Sequence, residues 1–542
     1  TKDKKRFGTE DGQINRDYLR EEKILLMNKE SELRKEKILL MDEKRKEERE
    51  YSGKKESLSL EAKLQVPSTE LHYDGINLLK PHIERRSLLE RLCGIFTTSF
   101  VLLSSPAGSG KTSLLNLFAA KARMDIECIY ISCLKKTLSD LLKPHGIDLE
   151  NETVTGDRPR VIMLDDAHKT YGEKNNWTTL IKNLSHLMPQ TKFIIAATHS
   201  LEGCYDTPAE FSSFPRLGRS DFLLSDEEAT QLLTSNNELG LPKQFQFDSL
   251  VSLISSECNG LIAALRLAIN TISSIFRKNN PTESELLQFY LSNEITEKMS
   301  RCFGSAHKKV PDHLKSHLIS CLSGPCDIPN KRDEYLILLQ KCGILVTNGT
   351  KFDYSSPLAR RYFFRWLFPN RSTNNPSTIK ELIIKAIELM SASFLKQSTP
   401  STDEFPKEAV FQQLMLQGFA KNTKPDCSIC PELSKRFPPF GADPNGEIDF
   451  YLNGSLRWGI ELLIKGSGIG EHLERFTPRG KYAPLDVSDY AVVDFRVNES
   501  GECTNVQRHA KRISVFFKKG DFSSCKCIFG NEQGVVQLNL SN

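Results

Sequence analysis

The sequence predicts a multidomain α/β protein, and three observations carry that prediction. From Val66 to about Arg219, the apolar runs SFVLLSS, ECIYISC, RVIMLDD, KFIIAAT and DFLLS alternate with helical stretches. Strands separated by helices imply βαβ units and a parallel sheet covered on both faces. After Ser225 the pattern turns to amphipathic helices as far as Phe303, and DEYLILLQKCGILVTNGTKFDYSS then reads helix, strand, Asn-Gly turn, strand. That order suits a winged-helix-like segment. The last ~137 residues alternate again and form a further α+β unit. A length of 542 residues agrees, since it exceeds one ordinary domain and predicts about three to four folding units.

In chain order, residues 1–64 are a charged arm, 65–225 a nucleotide-binding core and 226–303 a helical lid. Residues 304–372 are the winged-helix-like segment, 373–405 a linker with one helix from Ile379 to Leu395, and 406–542 the C-terminal domain. In the arm, EKILLMNKE from Glu22 recurs as EKILLMDEK from Glu36, so Leu19, Leu26, Leu33 and Leu40 fall on every seventh position. The other seam holds Lys23, Glu30 and Lys37. The arm therefore reads either as a solvated helix or linker, or as a self-association segment making a homo-oligomer.

Composition bounds function. No stretch approaches the roughly 18–20 apolar residues that a spanning helix needs, so no membrane partner is expected. Charged residues make up 26% with a net charge of +4, which excludes a globally basic nucleic-acid coat protein but not a local basic face. The 14 cysteines fall mostly singly in apolar runs, as reduced intracellular thiols do. Cys427/Cys430 and Cys525/Cys527 are the close pairs, and a zinc site is the minor reading for them. No apolar secretion core follows Thr1, which leaves the natural N-terminus and any targeting signal open.

SSPAGSGKTSLLNLF follows the apolar run Phe100–Leu103. A phosphate-binding loop needs small residues whose N–H groups wrap a phosphate, a lysine for the β/γ oxygens, a hydroxyl for Mg²⁺ and a helix N-terminus aimed at the anion. Ser105, Pro106, Ala107, Gly108, Ser109, Gly110, Lys111, Thr112 and Ser113 supply these, with Ser105 at the usual first glycine. RVIMLDDAH, from Arg160, is a buried strand ending in two carboxylates. Asp165 is expected to hold Mg²⁺ with Thr112, and Asp166 to orient or deprotonate the attacking water. Thr198 and His199 end the next strand, where the γ-phosphate is sensed, although His168 and His199 also read as satisfied surface histidines. Arg216 and Arg219, before DFLLS, and Arg266 in the lid are arginine-finger or sensor candidates, against the default of solvated arginines. The cofactors expected are ATP or GTP with Mg²⁺.

In the C-terminal domain, PKEAVFQQLMLQGF places Glu408 and Gln412 one helical turn apart. NGEIDFYLNGSLRWGIELLIKG reads as a hairpin with Asp449 on the first strand and Glu461, Leu463 and Lys465 on one face of the second. Two carboxylates and a lysine across neighbouring strands can bind Mg²⁺ and activate water for phosphodiester cleavage. The alternative is an ordinary solvent face.

These motifs resemble the PD-(D/E)xK restriction-endonuclease core, with Leu463 where the lysine belongs and Lys465 about 6.6 Å further along the strand. CNGLIAALRLAI, from Cys258, resembles the sensor region of signal-transduction NTPases, with Ile262 in the proline position. Sheet, lid and winged helix in this order resemble switch NTPases of the STAND class. WGIELLIKG, EHLERF, GKY and DFYLNG, together with SPAGSGKTSL, LDDAH and FDYSSPLARRYFFRWLFPNR upstream, resemble Crinkler-type effectors over about residues 75–540. The resemblance implies an NTPase fused to a nuclease, secreted and acting on DNA in a host nucleus to promote cell death. It implies nucleotide roles for Lys111, Thr112, Asp165 and Asp166, and nuclease roles for Glu408, Asp449, Glu461 and Lys465.

His472 and Arg475 on the helix after Glu461, and Arg508, Lys511 and Arg512 on a further expected helix with Lys518 and Lys519 after it, offer a DNA path. The expected function is an NTP-dependent switch controlling a Mg²⁺-dependent DNA nuclease. Its rivals are a nucleotide-controlled scaffold or DNA-binding protein with a dead nuclease fold, and an intracellular immune-type sensor.

Overall fold

The computed structural model describes residues 75–542, apart from 123–125, 157, 202–212, 304–308, 328–329, 331–332, 401–404, 434–447, 467, 504–507 and 542. The charged arm and its heptad pattern lie outside the described residues.

The nucleotide-binding core is a five-stranded sheet of β1 (Phe100–Ser104), β2 (Glu127–Ser132), β3 (Arg160–Asp165), β4 (Thr191–Ala197) and β5 (Arg216–Leu217), with α1 (Lys111–Ala122) leaving β1. The strand order is β2-β3-β4-β1-β5 and every pairing is parallel. Apolar side chains run unbroken along β1 because its residues alternate between two cores. Phe100 and Leu102 join Ile162, Trp177 and Phe193 on one face. Val101 and Leu103 join Leu114, Phe118 and Ile194 on the other.

One expected strand is absent. DFLLS does not pair; Arg219–Phe222 is a short helix, and the fifth strand is Arg216–Leu217 before it. The Asp221 carboxylate accepts from Gly218 N at 2.7 Å and closes the turn as a helix cap does. A run of only three apolar residues did not reveal which structure this local bond selects.

The lid comprises α2 (Asp226–Leu233), α3 (Asp248–Cys258), α4 (Ile262–Ile275), α5 (Glu283–Tyr290) and α6 (Asn293–Lys298). Ser225 caps α2 reciprocally with Glu228. The winged-helix-like segment holds α7 (Asp312–Ser320), β6 (Cys326–Asp327), α8 (Glu334–Lys341), β7 (Leu345–Asn348) and β8 (Lys351–Tyr354), and α9 (Pro357–Leu367) follows. β7 and β8 pair antiparallel about Gly349, whose φ of +63° is the left-handed turn that the Asn-Gly pair predicts.

The linker holds two helices rather than one, α10 (Ile379–Glu388) and α11 (Ala392–Gln397), because Ser391 restarts the helix as the cap of α11. Both pack on the C-terminal domain. That domain comprises α12 (Glu408–Asn422), β9 (Ile429–Leu433), β10 (Ile448–Leu452), β11 (Trp458–Ile464), α13 (Ile469–Glu474), β12 (Asp489–Asn498), β13 (Arg512–Lys518), β14 (Asp521–Phe529) and β15 (Val536–Asn539). The seven strands lie in chain order; β11, β12 and β13 are parallel and the remaining neighbours antiparallel. On one face, Phe411 of α12 stacks on Phe495 at 4.2 Å and Phe419 meets Phe450 edge-on. α10 crosses α12 at Gly418, where a Cβ would stand 2.6 Å from that of Ala386.

One apolar core runs from Leu224 and Leu232 in the lid, through Tyr354 and Phe363, to Phe517 and Leu540 in the last strands. Polar ties reinforce it: Asn293 donates to Pro425 O at 2.8 Å and Asn453 to Gln288 O at 2.6 Å. The nucleotide-binding sheet has its own two cores.

Candidate functional site

β1 delivers the phosphate loop and α1 receives it. Gly108 and Gly110 adopt φ of +75° and +94°, which turns successive N–H groups inward at little steric cost. Gly108 also has no room for a side chain, since a Cβ would lie 2.6 Å from that of Ala263 in the lid. Lys111, buried at the start of α1, donates to Ser105 O at 2.7 Å and Pro106 O at 3.0 Å. Burial pulls its ammonium down to about 8, against the opposing charges of Asp165 and Asp166. The Ser105 and Ser109 hydroxyls are buried without a protein partner. Unsatisfied polar atoms are rare in folded interiors, so this loop suits a phosphate ligand.

Asp165 and Thr112 come together as expected. Thr112 Oγ1 donates to Asp165 Oδ2 at 2.6 Å, and Tyr130 OH donates to the same oxygen at 2.8 Å. A hydroxyl and a carboxylate at the loop's mouth are the oxygen donors that Mg²⁺ takes, and Thr112 and Asp165 would hold it. Tyr130, on the neighbouring strand, was not anticipated; its signal is β2 lying beside β3. Asp166 has φ of +54° and is half-buried. Burial and the Asp165 charge push its carboxyl up, partly offset by His168, Lys111 and Lys169, so it is biased towards accepting a proton.

The sensor candidates separate. Thr198 Oγ1 and His199 Nδ1 are 2.8 Å apart, and the His168 and His199 rings are 6.0 Å apart. Burial, with the positive charges of Lys341 and His168, drives His199 down to about 4, so it is neutral at physiological pH. Lys341 belongs to the winged-helix-like segment, which reaches the loop directly: a Cβ on Gly343 would lie 2.8 Å from Pro106 Cβ. Arg219 reaches the same segment, donating to Ser355 O at 3.4 Å, and Asn259 donates there at 3.0 Å. Arg216 is exposed on edge strand β5. Arg266 donates to Leu239 O at 2.5 Å and lines a cavity of about 410 Å³ beside the loop.

That cavity was not legible in sequence. Ile76, Asn77 and His82 wall it before the sheet, Ser113 and Leu114 from α1, and Phe222, Glu238 and Ile262 from the lid side. Its size and its mix of apolar walls with a few polar groups suit a nucleoside.

The C-terminal acids are arranged differently. β10 and β11 place Asp449 opposite Glu461, continuing the pairing of Phe450 with Ile460. Asp449 accepts from Gln412 Nε2 at 2.7 Å and from Leu462 N at 2.6 Å. Burial, then the Glu461 charge, push its carboxyl well above the usual range. Glu408, exposed at the start of α12, adds to that push and accepts from Gln412 at 3.3 Å. Glu461 is fully buried, and both its oxygens are engaged. Tyr482 OH donates to Oε1 at 2.6 Å, while His472 Nδ1 and, at 3.3 Å, Arg475 meet Oε2.

Lys465 lies beyond the strand that carries Glu461. β11 ends at Ile464, and Lys465 turns to φ of +60°, exposed, with its N–H on Phe495 O at 2.9 Å. Alternation stops where the strand does. Leu463 is buried in the row that includes Asp494 of β12.

The expected basic helix is not seen among the described residues: Arg508 and Lys511 precede β13 in irregular and turn backbone, and Arg512 is the first residue of that strand. Arg512 donates to buried Asp494 at 2.6 Å, Lys519 pairs with Glu499 at 2.8 Å, and Lys511 with Asp489. His472 and Arg475 are drawn inward by Glu461. Among the described residues, no group of three or more His, Cys, Asp or Glu side chains is placed to hold a metal ion. Cys525 and Cys527 approach to 3.8 Å, and Cys427 and Cys430 are buried beside other elements. No helix among the described residues is long and apolar enough to cross a membrane.

Residues 101–214 match the family described as "ATPase family associated with various cellular activities (AAA)". Similar solved structures include the Walker-type ATPase PABY2304 of Pyrococcus abyssi, at 11% identity and a TM-score of 0.31, over 51% of this chain and 95% of that one. Another is the Aeropyrum pernix ORC1 protein in complex with DNA, at 15% identity and a TM-score of 0.31, over 55% and 95%. Domain III of the Thermotoga maritima replication initiation protein DnaA matches at 17% identity and a TM-score of 0.27, over 36% and 85%. No curated protein matches the sequence. The phosphate loop, its Thr112–Asp165 pair and this match agree that the chain carries an AAA-type P-loop ATPase domain.

Proposed function

We propose that the chain is an ATP-operated switch in which the lid, the winged-helix-like segment and the C-terminal domain move as one body against the nucleotide-binding core. The continuity of the apolar core from Leu224 to Leu540 carries this reading, because a packed core transmits displacement rather than absorbing it. Nucleotide sits where the two bodies meet: the loop touches Ala263 and Gly343, and the cavity has walls from both sides. Lys111 and the loop N–H groups bind phosphate, and Asp166 orients water and accepts its proton. Mg²⁺, when bound by Thr112 and Asp165, supplies charge for phosphoryl transfer.

Hydrogen exchange on the full chain with and without ATP tests the switch. Altered protection is expected around residues 105–112, 259–263, 341–343 and 355. Protection of the backbone amides on either side of the lid ties, at residues 288–293 and 448–453, is expected to stay constant. Opening of those ties with ATP would sink the single-body reading.

For the C-terminal domain, the opposed Asp449 and Glu461 support a Mg²⁺-dependent DNA nuclease. The resemblance to Crinkler-type effectors would extend this to a secreted protein acting on host DNA in a nucleus. The occupied oxygens of Glu461, Leu463 in the lysine position and the displaced Lys465 favour the other reading, an output domain that binds DNA or protein without cutting. Plasmid DNA with Mg²⁺ and ATP decides between them. We expect no cleavage; cleavage abolished by Asp449→Ala would establish the nuclease. Self-association through the arm remains part of the proposal, and light scattering with and without residues 1–64 tests it.

A further inference from the structure

The winged-helix-like segment carries two cysteines that the nucleotide switch does not use. Cys321 opens the turn Cys321–Ser323 that ends α7, and Cys326 opens β6. We propose that Cys321 and Cys326 form a modification site, a dithiol that hydrogen peroxide closes reversibly to a disulfide. The bond would staple the end of α7 to β6, in the segment that touches the phosphate loop at Gly343.

Both residues converge on Phe352. Cys326 pairs with Phe352 in the antiparallel ladder of β6 and β8, so their side chains share one face of the sheet. Cys326 accordingly packs against the apolar core that contains Phe352. Cys321 belongs to the same core and is fully buried, with its Sγ 3.5 Å from Phe352 O and 4.0 Å from Asp353 Oδ1. The two thiols hydrogen-bond to one another. Leu322, Ser323, Gly324 and Pro325 connect them, and Gly324 takes φ of +139°, a conformation that a side chain would resist.

The pair is chemically unequal. Cys326 is half-buried, its Sγ 3.5 Å from Gly324 O. The hydrogen bond with Cys321 holds its thiol below the ordinary range, with Lys351 in support and burial, Asp353 and Asp327 opposed. The same bond, then burial, pushes the Cys321 thiol up. Cys326 is therefore the nucleophile and Cys321 the resolving thiol. The Cys326 thiolate attacks one peroxide oxygen; the O–O bond breaks, a sulfenic acid forms and hydroxide departs, taking up the proton that Cys326 released. The Cys321 sulfur then attacks the Cys326 sulfur, the S–S bond forms, the S–O bond breaks, and the second hydroxide leaves as water with the Cys321 proton. One peroxide gains two electrons and two thiols lose them, giving one disulfide and two waters. Cys525 and Cys527 also lie close, at 3.8 Å, but both are buried and out of reach of the oxidant.

Trypsin isolates the pair, because residues 316–331 lie between Lys315 and the cut after Lys331 and hold these two cysteines and no other. The reduced full chain is treated with hydrogen peroxide, quenched, unfolded in N-ethylmaleimide and digested for mass spectrometry. The expected product is peptide 316–331 lighter by two hydrogens and free of maleimide; dithiothreitol before alkylation restores two maleimides. In the folded chain this link is expected to form about tenfold faster than any other disulfide, and in urea to lose that lead. Cys326→Ser is expected to leave Cys321 free for maleimide, and Cys321→Ser to let Cys326 proceed to the sulfinic acid. Two maleimides on the peptide while other cysteines oxidise, or a link from it to another peptide, overturns the dithiol. An equal lead in urea overturns it too, since the spacing of the two cysteines along the chain would then suffice. Oxidation of Cys321 in Cys326→Ser overturns the assigned roles. If a variant does not fold, the wild-type map decides alone.

Discussion

Asp165 and Asp166 at the end of β3, and Asp449 and Glu461 across β10 and β11, are both acid pairs at a sheet, and their neighbours set them apart. Asp165 accepts from Thr112 and Tyr130 hydroxyls, and Asp166 is half-buried beside the phosphate loop. Glu461 has no exposure and is held by Tyr482, His472 and Arg475. Asp165 is hydrogen-bonded by neutral hydroxyls that an ion can displace cheaply, while Lys111 and Lys169 carry the positive charge near Asp166. In the second, Glu461 is already paired with half-buried Arg475, so an ion would have to compete with the protein's own cation. A pair of acids in sequence therefore says little until its cations are located.

Five substitutions sharpen this contrast, and the largest effect is expected at Glu461. Glu461→Ala leaves Arg475 and His472 facing an apolar cavity, and should cost about 3–5 kcal/mol in urea unfolding, as broken buried pairs do. If Glu461 were instead an acid kept for a metal, its removal would be neutral or stabilising. Lys111→Ala acts on binding, not folding: ATP Kd, by calorimetry, should rise on the order of 100-fold, about 2.7 kcal/mol, while unfolding changes little.

Gly418→Ala tests the helix crossing beneath the second site. Its Cβ would lie 2.6 Å from that of Ala386, and overpacking of this kind costs about 1–3 kcal/mol. The smallest effect is a pH slope. His199 is held near 4 instead of 6.5, so between those values the unfolded chain binds a proton that the folded chain does not. Stability should fall as pH drops from 6.5 to 4, and His199→Gln should flatten that fall in Tm. Asp449 has the opposite sign. Its raised carboxyl makes the folded state hold the extra proton, so stability is lost as pH rises above the unfolded value. Asp449→Asn should gain on wild type with increasing pH.

The phosphate loop was legible because its chemistry is contiguous, from Ser105 to Ser113 between a strand and a helix. The nucleoside cavity was not, since Asn77, Leu114, Glu238 and Ile262 meet only after the lid folds over the sheet. In the C-terminal domain, the hairpin reading put Asp449 and Glu461 on neighbouring strands, and β10 and β11 do pair. Period-two alternation was carried on to Lys465, past the strand's end, because nothing in IELLIKG announces that the backbone turns left-handed at that lysine. Arg512 misled for a related reason: its charge suggested a surface helix, whereas Asp494 holds it inside a strand. Short charged stretches become interior when a partner arrives from a distant strand.

The single core between Leu224 and Leu540 bears on how the chain is made. At synthesis rates of about 5–20 residues per second, more than 300 residues separate its first wall from its last, a delay of roughly 15–60 s. The nucleotide-binding sheet is complete by Leu217, long before the lid has its final neighbours. During that interval the newborn lid carries apolar surface with nothing to cover it, and a chaperone that recognises such surface has its natural window there.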